Sequence, residues 1–303
     1  MLLGNPVVRF AVSFCLLGLF AAKVFAAAPA TLTVATYNVE NYTLANRVAD
    51  GVYRQDYPKP EAEKAALRAV IRRLNADVLA LQEVGGPPYL AELQRDLKGA
   101  GLDYPYAAVL EAADDVRHVA VLARVPLKSV VRHTNLTFKY LGGVATVKRG
   151  LLEVRLAVGG SEWTVFVVHL KSKLTERPDD PEAALERAGE AEAVRDRVLQ
   201  LFPDPASAKF LIVGDCNEAR DERPVRALLA RGKTVIAEWL PATDSRGEGW
   251  SYFYKKDGSY TRIDHVLVSP GLRPQVVTAR IEDAPETLQA SDHRPLVVTL
   301  WTE

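Results

Sequence analysis

Lys209-Phe210-Leu211-Ile212-Val213-Gly214-Asp215-Cys216-Asn217 runs through four consecutive large apolar side chains and then stops at a glycine, a carboxylate and a carboxamide. An apolar run without polar alternation is what a strand covered on both faces requires. Phe210 to Val213 is therefore predicted to be an inner strand, with Asp215 and Asn217 at its exit. Gly214 can let the backbone turn there, and a strand held from both sides can fix the two polar groups as a rigid pair. Taken alone, Gly-Asp-x-Asn is more readily an Asx-type turn than a site. Where the other strands end decides between the two.

Upstream, Thr31 to Tyr37 alternates β-favouring residues and ends at Asn38-Val39-Glu40-Asn41. Arg47 to Pro60 reads as a surface loop. From Glu61, apolar residues at Leu67, Val70, Ile71 and Leu74 have the spacing of a helix with one buried stripe. Asn75-Ala76-Asp77 ends it, and Val78 to Leu81 is a short buried strand running into Gln82-Glu83, which makes a β-α-β start. A second helix, Pro88 to Gly99, precedes predicted strands at Tyr104 to Leu110, Val119 to Ala123, Leu127 to Thr134, Leu151 to Val158 and Trp163 to Leu170. Glu182 to Phe202 is helical, with Leu185, Ala188, Ala191, Val194 and Val198 on one face. Beyond Asn217, Asp221 to Arg231 is a further helix, followed by strands at Trp250 to Tyr254, Ile263 to Val268, Gln275 to Ile281 and Pro295 to Trp301. Two β-rich halves with helices outside them predict an α/β fold of two packed sheets.

Polar residues gather at the ends of these strands. Asn38 and Glu40 follow the first, Glu83 the second, and His169 closes Trp163 to Leu170. Asp264 begins a later strand, and Asp292-His293 precedes the last. Each has an ordinary explanation: Glu83 a solvated carboxylate, Asp292-His293 an Asp-started turn, His169 a satisfied core histidine, Asp264 a partner for Arg262. Several converging at one place would instead be a site.

In order along the chain, Thr36-Tyr37-Asn38-Val39-Glu40, Leu81-Gln82-Glu83-Val84, Val168-His169-Leu170-Lys171-Ser172-Lys173, Gly214-Asp215-Cys216-Asn217, Arg262-Ile263-Asp264-His265 and Ser291-Asp292-His293-Arg294-Pro295 resemble the motifs of the endonuclease/exonuclease/phosphatase family. That superfamily includes pancreatic-type deoxyribonuclease and the apurinic endonucleases. The resemblance spans Thr31 to Trp301. It implies a four-layer α-β-β-α sandwich of two mixed sheets with helices on the outer faces, and metal-assisted hydrolysis of a phosphoester. Glu83 resembles the principal Mg²⁺ ligand, with Asn38, Glu40 and Asp292 near the ion; Mn²⁺ would suit the same hard oxygen donors. His293 resembles the histidine facing the scissile phosphate, Asp264 the carboxylate orienting it, and His169 a second phosphate-contacting histidine. Asp215 would orient or deprotonate the attacking water, paired with His293, and Asn217 would contact the phosphoryl oxygens or position Asp215.

Two departures stand out. Cys216 occupies a place where the family carries a bulkier apolar residue, and it reads as a small buried hydrophobe. The stretch Asp114-Asp115-Val116-Arg117-His118 lacks the glutamate that deoxyribonuclease-type members use to orient the first histidine, so the partner of His169 is left open. Arg117 can face phosphate or solvent.

The ends of the chain and its charge bear on substrate. Arg9, the apolar run Phe10 to Phe20 and Val24-Phe25-Ala26 have the form of a signal peptide cleaved after Ala26, leaving residues 27–303 as one exported domain, secreted or periplasmic. The run is shorter than the ~20 residues a spanning helix needs, so no stable membrane anchor is expected. Cleavage would remove two of the 38 basic residues against 38 acidic ones, giving a formal charge of −2. The basic excess that marks nonspecific nucleic-acid binding is missing. With Cys216 the one cysteine past the leader, no intrachain disulfide can form, and a monomer held by its core is expected.

Lys171, Lys173, Arg117 and Arg262 are candidate substrate contacts. Tyr252, Phe253, Tyr254, Lys255, Lys256 and Tyr260 set aromatics beside cations, as base stacking with phosphate contact requires; a β-hairpin accounts for them equally well. A nuclease acting on DNA or RNA is the first reading. A phosphodiesterase or phosphatase for a lipid head group or small phosphorylated metabolite is the second, its lipid version weakened by the lack of a visible apolar hairpin. A non-catalytic binding module on the same fold is the third, and the filled site positions speak against it.

Overall fold

The structure, a computed structural model, describes residues 1, 2, 4 and 31–303. Apart from positions 1, 2 and 4, the expected leader to Ala26 lies outside the described residues. Among the described residues no helix is long and apolar enough to cross a membrane.

Two six-stranded mixed sheets face each other. The first runs in the order Val276–Ile281, Leu296–Trp301, Thr31–Tyr42, Val78–Val84, His118–Ala123, Tyr106–Leu110. The second runs Glu238–Trp239, Asp264–Val268, Phe210–Asp215, Ser161–His169, Leu151–Val158, Leu127–His133. Each sheet has one parallel pair at its centre, Thr31–Tyr42 beside Val78–Val84 and Ser161–His169 beside Phe210–Asp215. Parallel neighbours need a crossover. The helices Glu61–Leu74 and Ala184–Leu201 supply it, each on the outer face of its own sheet.

Alternation along the strands explains the three cores. Leu32, Val34, Val78, Ala80, Val165, Val167, Leu211, Val213, Val266 and Val268 point between the sheets. Their chain neighbours Ala35, Tyr37, Leu79 and Leu81 point outward under the helices Glu61–Leu74 and Pro87–Gly99. Phe166, Val168, Phe210, Ile212 and Cys216 point the other way, under Ala184–Leu201 and Arg223–Leu229. Each fully buried Val or Leu contributes about 1.5–3 kcal/mol. The four-layer α-β-β-α arrangement is therefore the only way these strands can cover both of their apolar faces, and Cys216 is one of the packed hydrophobes.

Several local expectations change. Arg47 to Pro60 is not a loop but a hairpin, Ala45–Ala49 with Val52–Tyr57, around Asp50 and Gly51 at φ 52° and 74°. Positive φ at both turn residues is what Asp-Gly provides, and the hairpin escaped notice because its exposed strands have no apolar alternation. A second hairpin, Thr137–Tyr140 with Gly143–Thr146, seats Phe138 against Gly189 of the helix Ala184–Leu201. Val48, Val52, Tyr53, Leu141 and Val144 are exposed on these two hairpins, where the sequence reading found no apolar hairpin. The predicted helix from Glu182 starts at Ala184, since Glu182 and Ala183 sit at φ 57° and 50°. Leu185 is 48% exposed and not on the buried face. That face instead carries Glu190, whose carboxylate accepts the backbone N–H groups of Lys148 and Lys171 and so ties the helix to both loops. The helix predicted over Asp221 to Arg231 is confined to Arg223–Leu229.

Gly214 does not turn the chain. It sits inside the strand at φ 142°, and a Cβ there would lie 2.0 Å from the Val168 carbonyl oxygen. Gly214→Ala is expected to destabilise the fold by about 3 kcal/mol or more, because backbone and not a flexible side chain must give way. Gly99→Ala, with nothing within 4 Å of the added carbon, is the control. Equal chemical-denaturation midpoints for the two variants would contradict this account.

Candidate active site

The inward stripe of each central strand ends in a polar residue at the same end of the sandwich. After Leu32 and Val34 come Thr36 and Asn38; after Val78 and Ala80 comes Gln82; after Val165 and Val167, His169; after Leu211 and Val213, Asp215; and Asp264 precedes Val266. Register aligns them. His169, Asp215 and Asp264 are direct neighbours across three strands, and Asn38 pairs with Gln82 in the facing sheet. Asn38 Nδ2 donates to Asp215 Oδ2 at 3.0 Å, joining the two sheets.

A bulge turns the next residues out of the first sheet. Pairing jumps from Asn38–Gln82 to Tyr42–Val84, so Val39, Glu40 and Asn41 oppose Glu83 alone. Glu40, Asn41 and Glu83 take φ of 46°, 55° and 63°, and Asn217 takes 52°. Left-handed backbone at a non-glycine costs about 1–2 kcal/mol. Specific bonds offset it: Asn41 N donates to Glu83 Oε2 at 3.0 Å, Glu40 N to Asn38 Oδ1 at 3.0 Å, and Asn217 N to Asp215 Oδ1 at 2.8 Å. Asn217 Nδ2 donates to the Leu170 carbonyl at 2.9 Å, so the amide braces Asp215 against the neighbouring strand.

His293 sits over this row. Its Nδ1 lies 2.8 Å from Asp264 Oδ2, the same oxygen that Ser251 Oγ meets at 2.8 Å. Ser291 Oγ accepts the His293 N–H and donates to the Asn38 carbonyl, which pins the His293 loop to the first sheet. Burial alone pushes an imidazole down, but Asp264, with Asp215 and Asp292, holds His293 well above its ordinary range, as an imidazolium. Its Nε2 faces Asp215 Oδ2 at 3.9 Å. Asp215 is 1% exposed. Burial first, then Asp264, lifts its carboxyl to about 7, against the opposing pull of His293 and the Asn217 and Asn38 donors.

His169 behaves oppositely. Burial, then the charges of Arg149, His293 and Arg117, press its pKa well below the ordinary value, so the ring is neutral. Nε2 lies 3.5 Å from Asp215 Oδ2 and 3.9 Å from Glu83 Oε1, and the buried Nδ1 has no hydrogen-bond partner among the described residues. The stretch around Asp114 therefore does not orient this ring. Asp114 holds Arg149 instead, Nε to Oδ2 at 2.9 Å, and accepts the N–H groups of Val116 and Arg117. Arg117 Nε donates to Asn41 Oδ1 at 2.8 Å and lies 3.9 Å from Glu83.

Arg149, Ser251 and Ser291 had no role in the sequence reading. Arg149 is buried, with Nη1 unpartnered among the described residues. The pairing of Leu152 with Val167 puts it beside the end of the His169 strand, a register that single-strand patterns do not reveal.

Acidic side chains gather beside this row, with Glu40 and Glu83 acting on Asp292. Asp292 is pushed up to about 6 by burial and then by Glu40 and Glu83, opposed by His293 and Lys255. Its side chain accepts no hydrogen bond among the described residues. Glu40 is already engaged at both oxygens, by Lys255 Nζ at 3.2 Å and by Asp292 N at 2.9 Å. The ligand atoms of Asp215, Asp264 and His293 also lie within 4.8 Å of one another. Asp215 already accepts from Asn38 and Asn217, and Asp264 from Ser251 and His293, so this trio also suits proton handling. Glu83 and Asp292, whose charges repel, are a second candidate for a hard divalent cation.

Three cations proposed as substrate contacts have other partners. Lys171 Nζ donates to the carbonyls of Ser172 and Leu174. Arg262 donates to the carbonyls of Leu240 and Ala242 and lies 4.2 Å over the Trp239 ring. In both cases main-chain carbonyls of folded loops take up donors. Lys173 is exposed and ion-paired with Glu182 and Glu218.

Comparison with known proteins agrees with this architecture. The family model described as "Endonuclease/Exonuclease/phosphatase family" matches residues 35–293. No curated protein matches the chain. Among solved structures, the chain is similar to an AP endonuclease from Archaeoglobus fulgidus, at 15% identity and TM-score 0.60 over 89% of this chain and 99% of that one. It is similar to sphingomyelinase C from Streptomyces griseocarneus, at 17% and 0.58 over 89% and 99%. It is also similar to a beta toxin mutant from Staphylococcus aureus with bound magnesium ions, at 16% and 0.61 over 90% and 99%. At these identities the likeness is one of fold.

Asp264→Asn removes the main group that holds the His293 proton, while burial remains. The His293 ring, followed by NMR titration in metal-free protein, is expected to fall from above its ordinary range to near or below it. An unmoved titration would mean that Asp264 does not govern this imidazole.

Proposed function

The chain belongs to the endonuclease/exonuclease/phosphatase family, whose members are phosphoester hydrolases, and from that premise we propose that it is a divalent-metal-dependent nuclease cleaving phosphodiesters of DNA or RNA. The observation that supports this reading is the row His169–Asp215–Asp264 across three strands, with charged His293 over it and the strained Glu83 bulge beside it.

In this reading Asp215 takes the proton of the attacking water. A carboxyl lifted to about 7 is a far stronger base than a solvated one and is still largely ionised at mildly alkaline pH. His293, kept cationic by Asp264, offsets the negative charge growing on the phosphoryl oxygens. Asn217 positions Asp215, since its own amide is held by Leu170 and Asp215. Neutral His169 offers an Nε2–H donor between Asp215 and Glu83. Glu83 and Asp292 would hold Mg²⁺ or Mn²⁺, with Asn38 and Glu40 around them; the bound ion would supply charge stabilisation for the phosphoryl and leaving oxygens. Arg117 and Arg149 line the side towards His169.

For nucleic acid speak the aromatic rings beside the site: Tyr252 against His293 at 4.7 Å, Phe253 stacked on Tyr260 at 4.7 Å, and Trp250 4.6 Å from Tyr260. Stacking platforms of this kind are worth about 1–3 kcal/mol per base. A lipid head group is the second reading, favoured by the exposed apolar residues Val48, Val52, Tyr53, Leu141 and Val144 on two hairpins. In either case we propose that residues 27–303 act as an exported monomer, after cleavage following Ala26.

Chelation is expected to abolish turnover, and Mg²⁺ or Mn²⁺ to restore it; full activity in excess chelator would defeat the metal assignment. Asp215→Ala and His293→Ala should each lower kcat by about three orders of magnitude or more with unchanged circular dichroism. Because the base must be ionised, kcat/KM should fall about tenfold per unit as pH drops below about 7. Plasmid DNA, RNA, a generic phosphodiester and sphingomyelin vesicles, assayed side by side in Mg²⁺, separate the readings. Turnover of vesicles without nucleic acid would favour the lipid.

A further inference from the structure

Tyr252 entered the sequence reading as a rim aromatic, and its place in the structure gives it more to do. The segment Ser251 to Phe253 is stitched to the His293 loop: Phe253 N donates to the Asp292 carbonyl at 2.9 Å, Arg294 N donates to the Ser251 carbonyl at 2.6 Å, and Tyr252 bridges His293 between them. The Tyr252 ring therefore moves with the catalytic loop and not independently of it. Its centroid lies 4.7 Å from that of His293 at 43°, and Tyr254 flanks it at 6.3 Å and 32°. Ring neighbours at both distances fix its plane.

The hydroxyl is the free end. It has no hydrogen-bond partner among the described residues, whereas the more deeply buried Tyr42 and Tyr104 are engaged, with Glu92 and the Ala76 carbonyl; Tyr37, whose hydroxyl also lacks a partner, is fully buried and closed to substrate. Its surroundings are the carboxylates of Asp292, Asp215 and Glu40. Two of these, Asp215 and Asp292, also face His293 Nε2, at 3.9 and 4.0 Å. A half-buried phenol that is ring-locked and lacks an internal acceptor is a preorganised donor awaiting one.

We propose that Tyr252 is a catalytic residue whose hydroxyl donates a hydrogen bond to a non-bridging oxygen of the substrate phosphoryl group, alongside the imidazolium of His293. The inference rests on the reading of this site as a phosphoester hydrolase. A neutral donor suits the place. It stabilises charge that develops in the transition state without adding a cation that would compete for the carboxylates or for Mg²⁺.

Tyr252→Phe keeps the ring against His293 and removes only the donor. With a generic phosphodiester in Mg²⁺ its kcat should fall about 10- to 100-fold, with KM within about twofold and Tm unchanged. Independently of turnover, binding of inorganic phosphate in Mg²⁺, measured by calorimetry, should weaken about fivefold or more. Tyr252→Ala, which also loses the ring contact, should in addition lower Tm. Wild-type kcat and phosphate affinity in Tyr252→Phe would overturn the proposal, as would a wild-type protein that binds no phosphate. A wild type without hydrolytic activity whose phosphate binding still weakens in Tyr252→Phe would sink the hydrolase reading and leave the Tyr252 contact standing.

Discussion

The hydrogen bond from Asn38 to Asp215 joins the two sheets where their apolar packing ends. Everything at the site depends on that closure. A carboxylate buried between two sheets is costly unless donors surround it, and Asp215 has Asn38 from the facing sheet and the Asn217 main chain and side chain from its own exit. The donors are enough to keep it in place and too few to cancel burial, so its proton affinity is lifted into the neutral range. The contact that completes the sandwich also sets the basicity of its central carboxylate. Splaying the sheets would lose both together.

Around that point the fold gives similar residue types different environments. Asp264 is fixed by Ser251 and by His293, which makes it a holder of positive charge. Asp292 lies between the charges of Glu40 and Glu83 on one side and His293 and Lys255 on the other, with no donor to its side chain among the described residues. The two histidines diverge for the same reason: His293 has a carboxylate at 2.8 Å, whereas His169 has an unpartnered Nδ1 and arginines nearby. Backbone strain gathers at the same end of the molecule. Glu40, Asn41, Glu83 and Asn217 accept left-handed φ, and the bonds that secure them are the bonds that aim Glu83 and Asp215. A local rule broken beside a buried charge network marks a functional place more strongly than either feature alone.

Much of this was legible in the sequence. Strands buried on both faces, such as Phe210 to Val213, announce themselves by apolar runs, and the four layers follow because each run needs two covers. Most of the site was legible because it is the continuation of those runs: the polar residue that follows an inward-facing Val is itself inward-facing. What stayed hidden was whatever depends on contacts between distant segments. Lys171 and Arg262 look like phosphate ligands in one dimension, and the carbonyl partners their loops supply show only in the fold. Arg149 looks like an ordinary strand-start residue until Asp114 and His169 surround it. The hairpin at Asp50-Gly51 had its turn signal in plain view, but its strands, half-buried in Ala45–Ala49 and exposed in Val52–Tyr57, carry no apolar alternation to flank it.

The balanced charge of the chain, which argued against a polyanionic substrate, acts at a different length scale from the site. Screening limits long-range attraction to about 8–10 Å at physiological salt, so a chain of 38 basic and 38 acidic residues has little field to steer a distant polymer. Inside the cleft, low dielectric and fixed geometry decide, and there the charges are segregated: Arg117, Arg149 and His293 face the row, while Glu83, Glu40 and Asp292 gather beside it. A phosphodiester bridged between those groups would be held by short contacts and by aromatic stacking on Tyr252 and its neighbours, not by counterion release along a basic surface. Recognition of that kind engages few phosphates at a time. It would thus give a shallow salt dependence whichever phosphoester the site takes, because the slope counts neutralised phosphates and the cations at the row, Arg117, Arg149 and His293, are few.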